Sequence, residues 1–243
     1  MHVFRGLPSP LQRRPSAVAI GNFDGVHLGH QALLEYVKEA AQARGLVPSV
    51  VTFEPHPKDF FGRGGEVARI STLYDKVNAI LGTGIERIYI LPFNSRLACM
   101  PAETFVRDVL LKGLDACWMS VGKDFRFGGD RAGSVELLEE LSRTLPYELY
   151  VSPTFYHKEA RRELLAHPRA LAVGDLYEAA LMLGRPYSMT GRVIHGAALG
   201  RTLASPRSTW RRFRRAATPV PPSRASSPSA STDSDSRSER RRL

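Results

Sequence analysis

Long apolar runs are missing from this chain. No stretch approaches the roughly 18 consecutive apolar residues of a helical membrane span. Cysteine is scarce as well: only Cys99 and Cys117 occur, each in an apolar context, so no disulfide framework organises the fold and reduced, buried thiols are expected. The N-terminus lacks the charged-then-apolar pattern of an export signal, which with the thiols points to the cytoplasm. Both common phosphate loops are missing too. There is no Gly-x-x-x-x-Gly-Lys, and Gly21, Gly25 and Gly29 do not form Gly-x-Gly-x-x-Gly. Finally, acids are few where arginine is dense. From Ala204 onward ten arginines face three acids, so this segment carries +7 of the net +10. The basic balance belongs to that segment rather than to the preceding body, which weighs against a nucleic-acid-binding function.

What is present is an ordinary globular composition. With 243 residues, 43% of them hydrophobic, the chain can bury one good core and a small second domain. Its centre of organisation is Gly21-Asn22-Phe23-Asp24-Gly25-Val26-His27-Leu28-Gly29-His30. The apolar run Ala17 to Ile20 leads in, and Leu33, Leu34, Val37, Ala40 and Ala41 lead out at helical spacing. The pattern predicts strand, glycine turn, helix. Backbone N–H groups at a helix start favour an anion. His27 and His30, three apart, are expected on one face of the first turn, and Gly29 leaves room for a phosphate to approach the backbone. A single histidine at a helix start is commonly a cap or surface residue; the ten-residue constellation behind an apolar strand points instead to a site.

Along the chain, His2 to Phe4 reads as an edge strand and Pro48 to Phe53 as a strand. Pro55 and Pro57 then predict an extended loop in which helix is forbidden. Lys58 to Arg69 is a loop rich in glycine and phenylalanine. Thr72-x-x-Asp75 opens a helix burying Val77, Ile80 and Leu81. Arg87 to Leu91 is a strand; a helix follows Pro101, carries Phe105, Val106, Val109 and Leu110, and closes at Gly113. Ala116 to Val121, a helix across Val135 to Leu141, and Tyr147 to Val151 complete the alternation. Strands alternating with helices predict an α/β fold with a parallel sheet covered on both faces. Ligands of such sheets bind beyond the carboxyl ends of the strands. The histidine stretch, Glu54–Pro57 and Gly122–Gly129 all fall there. Asp175-x-x-Glu178 opens a further helix, and Tyr187 to Ile194 alternates like the start of a new domain. From 204 onward ten serines, ten arginines and five prolines predict disorder.

These residues resemble a known family, the bacterial bifunctional riboflavin kinase/FMN adenylyltransferases (FAD synthetases). The stretches that carry the likeness are Gly21 to His30, Thr52-Phe53-Glu54-Pro55-His56-Pro57, and Val121 to Gly128. Leu183-Gly184-Arg185-Pro186-Tyr187 and Gly191 to Gly196 look like the junction into the kinase part. The resemblance implies a Rossmann-like nucleotidylyltransferase domain over 1–184, the start of a truncated β-barrel kinase domain over 185–203, and the disordered segment 204–243. It implies transfer of AMP from ATP to FMN, giving FAD and pyrophosphate with Mg²⁺ assisting, by a monomer that engages neither nucleic acid nor membrane. His27 and His30 would be catalytic, stabilising charge on the ATP phosphates, each donor being worth about 3 kcal/mol. Gly21, Phe23, Asp24, Gly29, Arg161 and Arg162 would serve the nucleotide, Asp24 by ordering the turn or the ribose neighbourhood rather than as a base; Phe53, Pro55, Pro57, Asp124 and Arg126 would serve the flavin; no protein metal-ligand set is assigned.

Two family motifs are not found here. The family's Ser-Ser-Thr-x-x-Arg would fall near 157–170, yet no serine or threonine occurs between Phe155 and Tyr187, leaving Arg161, Arg162 and Arg169 as phosphate cations. The kinase motif Gly-Phe-Pro-Thr-Ala-Asn is replaced by Ala204-Ser205-Pro206-Arg207. Loss of riboflavin kinase activity is therefore expected, and the alternative to an active transferase is an impaired flavin- or nucleotide-binding remnant.

Overall fold

A computed structural model of the chain describes residues 1–62, 69–153, 175–194 and 209–211. Six parallel strands form the main sheet: β1 (His2–Arg5), β2 (Ser16–Ile20), β3 (Val47–Glu54), β4 (Arg87–Pro92), β5 (Ala116–Gly122) and β6 (Glu148–Ser152). Their order is β1-β4-β3-β2-β5-β6, every neighbouring pair parallel. The expected edge strand at the N-terminus is therefore real and lies at one edge, against β4.

Period-two alternation divides the strands between two cores. Val18 and Ile20 of β2 face one layer, Ala17 and Ala19 the other. The second layer is closed by α1 (Leu28–Arg44), which buries Leu34, Val37, Ala40 and Ala41, and by α3 (Leu73–Leu81). Burying a leucine or valine in this way contributes about 1.5–3 kcal/mol. The first layer is closed by one helical run: α5 (Ala102–Thr104), a π-helical stretch (Phe105–Leu111) and α6 (Lys112–Leu114), with α7 (Val135–Ser142) beside it. The sheet is thus covered on both faces, and the α/β expectation holds. Among the described residues no helix is long and apolar enough to cross a membrane.

Four local expectations are corrected, the first being burial of the thiols, since Cys99 is exposed and Cys117 half-buried. Pro57 does not forbid helix; it occupies the first turn of α2 (Pro57–Phe60), where a missing N–H costs nothing, and the His56 side chain caps that turn. Gly113 does not close its helix. It lies inside α6, where a Cβ would come within 2.9 Å of Leu7, and Asp115 takes the left-handed closing position at φ 56°. On α3 the buried residues are Lys76 and Ile80, with Val77 and Leu81 only half-buried.

Beyond the sheet, α4 (Ser95–Ala98) is a single turn, and α8 (Leu176–Leu183) is capped by Asp175 as its spacing predicts. β7 (Arg192–Ile194) pairs antiparallel with β8 (Thr209–Arg211). These last three residues fall within the segment for which composition predicts disorder. The rest of 204–243 lies outside the described residues.

Candidate functional site

The turn after β2 is held in a conformation that its side chains resist. Phe23 and Val26 take positive φ values of 50° and 44°. Such conformations cost about 1–3 kcal/mol each and persist only where the surroundings impose them. Here both side chains are buried, at 1% exposure. The turn is also bonded on several sides. Asp24 Oδ2 accepts the Ile70 N–H at 2.9 Å, and Oδ1 accepts the Ser71 N–H at 2.9 Å and hydroxyl at 2.8 Å. Ser71 Oγ in turn accepts the Gly25 N–H at 3.0 Å. Asn22 O receives the Thr52 hydroxyl at 3.1 Å and Lys76 Nζ at 3.3 Å. Burial pulls the Lys76 ammonium below its ordinary value, partly offset by the charges of Glu54 and Asp24.

That scaffold presents the two histidines together. His27 is the cap of α1: its Nδ1 accepts the N–H of His30 at 3.3 Å. The rings stack with centroids 3.7 Å apart and planes 22° apart. Phe23 lies against His30, ring centroids 5.0 Å apart. The two imidazoles are thus adjacent at a helix N-terminus, although His27 is the residue before the helix and not part of its first turn.

Because β3, β2 and β5 are neighbours and parallel, their three following segments leave the sheet at the same edge. Beyond β3, Phe53 is buried against Phe93, ring centroids 6.0 Å apart, and Phe93 also meets Phe60 at 5.4 Å and Phe61 at 5.8 Å. Phe60 and Phe61 are exposed. Pro55 is exposed and Pro57 half-buried. Arg69 ties this segment down through Glu54 at 2.9 Å and through Asp59. His56 Nδ1 accepts the Lys58 N–H at 3.1 Å, and burial holds that imidazole below its usual value against the opposing pull of Asp59. Beyond β5, Asp124 and Arg126 are exposed, whereas Phe125 and Phe127 stack 5.4 Å apart and turn inward.

The geometry bears on several of the expected site residues. Phe23, buried at 1%, offers no surface to line a cleft; it backs the His30 ring. Asp24 has both oxygens occupied by residues 70 and 71, so it orders the turn. Gly21 and Gly29 stand half-buried on either side of the turn. Arg161, Arg162 and Arg169 lie outside the described residues. Sequence reasoning missed Lys76, Ser71, Phe60, Phe61 and Phe93; only the phenylalanine-rich character of 58–69 hinted at the aromatic group. Behind the turn lies a cavity of about 300 Å³ lined by Gly25, Ile70, Asp75, Arg185, Tyr187 and Thr190, among others. It holds none of the predicted site residues. Among the described residues no group of three or more His, Cys, Asp or Glu is placed to hold a metal ion.

A parallel α/β domain with paired imidazoles at the carboxyl edge of its strands is the class of protein defined here. Comparison with known proteins narrows it. Residues 9–162 match the family model described as FAD synthetase, and the chain belongs to that family. It is 35% identical over 209 residues to the bifunctional riboflavin kinase/FMN adenylyltransferase of Escherichia coli strain K12, covering 85% of this chain and 66% of that one. The protein of the same description from Pseudomonas fluorescens is 37% identical over 207 residues, with the same coverages of 85% and 66%. That from Haemophilus influenzae is 34% identical over 215 residues, covering 88% of this chain and 70% of the relative. The chain thus spans about two thirds of the length of these relatives. A solved structure from Streptococcus pneumoniae, described as a macrolide-efflux protein, is similar with TM-score 0.68 and 26% identity over 86% of this chain and 68% of that one.

Proposed function

We propose that this chain transfers AMP from ATP to the phosphate of FMN, yielding FAD and pyrophosphate. The observation that carries the reading is the stacked His27–His30 pair at the start of α1. An FMN phosphate oxygen attacks the α-phosphorus of ATP; the bond from that phosphorus to the bridging oxygen of the β-phosphate breaks, and pyrophosphate departs with the electron pair. This reaction needs no protein nucleophile. It needs alignment of the two phosphates and donors for the charge that builds on the leaving pyrophosphate. His27 uses Nδ1 as an acceptor, which assigns the proton of the neutral ring to Nε2, the nitrogen proposed to face the phosphates. Together with the first N–H groups of α1, the imidazoles supply donors in fixed positions, each worth about 3 kcal/mol of transition-state stabilisation.

The aromatic group beyond β3 and β4 suits the flavin ring, with Phe60 and Phe61 exposed and Phe53 and Phe93 behind them. Pro55 and Pro57 shape its border, and Asp124 and Arg126 stand exposed beyond β5 to position phosphate or nucleotide. Arg161 and Arg162 are assigned to the triphosphate on sequence alone. Magnesium enters as part of the Mg–ATP substrate, held mainly by phosphate oxygens and water. The reading concerns a monomer in the cytoplasm acting on two small molecules.

Riboflavin phosphorylation is not part of the proposal, since Ala204-Ser205-Pro206-Arg207 stands where the family's kinase motif belongs. The test is incubation of purified protein with Mg–ATP and either FMN or riboflavin, followed by chromatography. FAD from FMN and none from riboflavin is the expected result. One observation favours a second reading, a flavin-binding remnant: the missing serines and threonines between Phe155 and Tyr187. FMN binding without FAD formation identifies that case.

A further inference from the structure

The peptide that joins Val26 to His27 is held from the far end of the described chain. Val26 O accepts Gln31 Nε2 at 2.9 Å and Arg185 Nη1 at 2.9 Å. Gly25 O accepts Arg185 Nη2 at 2.6 Å. Gln31 and Arg185 are themselves joined through one carbonyl, Leu183 O, at 2.8 and 3.2 Å. The approach is close throughout. A Cβ on Gly184 would lie 2.4 Å from Leu28, and one on Gly25 would meet Leu183 at 3.2 Å. Gly184, at φ 65°, turns the chain just where the guanidinium must reach back. Tyr187 continues the attachment by donating its hydroxyl to Ile70 O at 3.1 Å, beside the residues that Asp24 binds.

We propose that Arg185 is a positioning residue for the His27–His30 pair, acting through the carbonyls of Gly25 and Val26. The claim rests on the adenylyl-transfer reading above for its kinetic consequence, though not for its structural one. The physical argument concerns the backbone. Val26 stands at φ 44°, a conformation that a β-branched residue resists. Donors fixed on both sides of its carbonyl oppose rotation of that peptide toward negative φ. Were they lost, the peptide would relax, and His27, the next residue, would turn away from His30. The pair is thus clamped from both flanks, by Val26 immediately before it and by Gln31 immediately after it. Arg185 is half-buried and its guanidinium is bonded to the carbonyls of Gly25, Val26 and Leu183, so its effect on the pair passes through the turn.

The experiment uses the full chain with Arg185→Ala, Arg185→Lys and Ser188→Ala, the last a cavity-lining change away from the turn. Two readouts are taken: kcat and KM for FAD formation, and NMR of the His27 and His30 rings with hydrogen exchange at the His30 amide. For Arg185→Ala we expect kcat to fall between about tenfold and a hundredfold with both KM values within about twofold, as for a misplaced catalytic group. His30 amide exchange should accelerate at least about tenfold, and both ring signals should move. Arg185→Lys, which keeps a cation within reach of one carbonyl, should restore part of each effect, and Ser188→Ala should change nothing. Should Arg185→Ala fail to fold, Arg185→Lys and Gln31→Met carry the same readouts. Unmoved ring signals and amide protection in these variants overturn the proposal, whatever happens to melting temperature. If the wild-type chain forms no FAD, the function proposed above fails, while the NMR comparison still decides the role of Arg185.

Discussion

His27 caps the helix that carries His30: its Nδ1 accepts the His30 N–H at 3.3 Å while the two rings stack at 3.7 Å. One imidazole therefore serves as structural cap and, in the proposed reaction, as donor to phosphate. Asparagine caps helices well but lacks the outward donor in the same place. His27→Asn is expected to keep stability within about 1 kcal/mol of wild type, by urea unfolding, while FAD formation falls about a hundredfold or more. His30→Ala should cost a similar factor, and the double variant much less than the product, since the two act as a unit.

Asp24 provides a second test. Its carboxylate accepts three hydrogen bonds from residues 70 and 71. In Asp24→Asn one oxygen becomes an NH₂ facing another donor, so a charge-assisted bond is replaced by repulsion. The expected loss is about 1.5–3 kcal/mol in urea unfolding. Activity should fall with it, because the same turn carries His27.

Stability should depend on pH through His56. Burial lowers its folded value below the ordinary 6.5, and the neutral Nδ1 is needed to accept the Lys58 N–H. A depressed folded value means that stability is fully present above the unfolded value and is lost as pH falls through the folded one. Calorimetry from pH 8 to pH 5 should show a falling melting temperature below about 6.5. His56→Asn, which can still cap α2 without titrating, should flatten that part of the profile.

The exposed phenylalanines test the flavin assignment. Phe61 is 49% exposed and packs edge-on against Phe93 and Phe60. Phe61→Ala should raise the KM for FMN about fivefold, the equivalent of ~1 kcal/mol of aromatic contact, and leave the KM for ATP unchanged. Equal changes in both constants would count against a flavin platform here.

Local pattern made much of this protein legible before any coordinates. The apolar run before Gly21, the helical spacing after His30, the caps Thr72 and Asp175, and the alternation of strands with helices act over a few residues or one element, so sequence determined them. Motif order also placed three loops at one edge of a parallel sheet. Contacts between distant segments were another matter. Lys76 was not singled out by any local pattern, yet it is buried where its amine can reach Asn22 O, a group 54 residues away. Phe23 looked like a cleft residue and proved to be packing beneath His30. Asp24 meeting Ser71, and Arg185 meeting Gly25, join residues 47 and 160 positions apart. Spacing rules cannot encode such pairs, because they depend on how two finished elements dock. Tertiary structure alone decided what holds the histidine turn in its strained form.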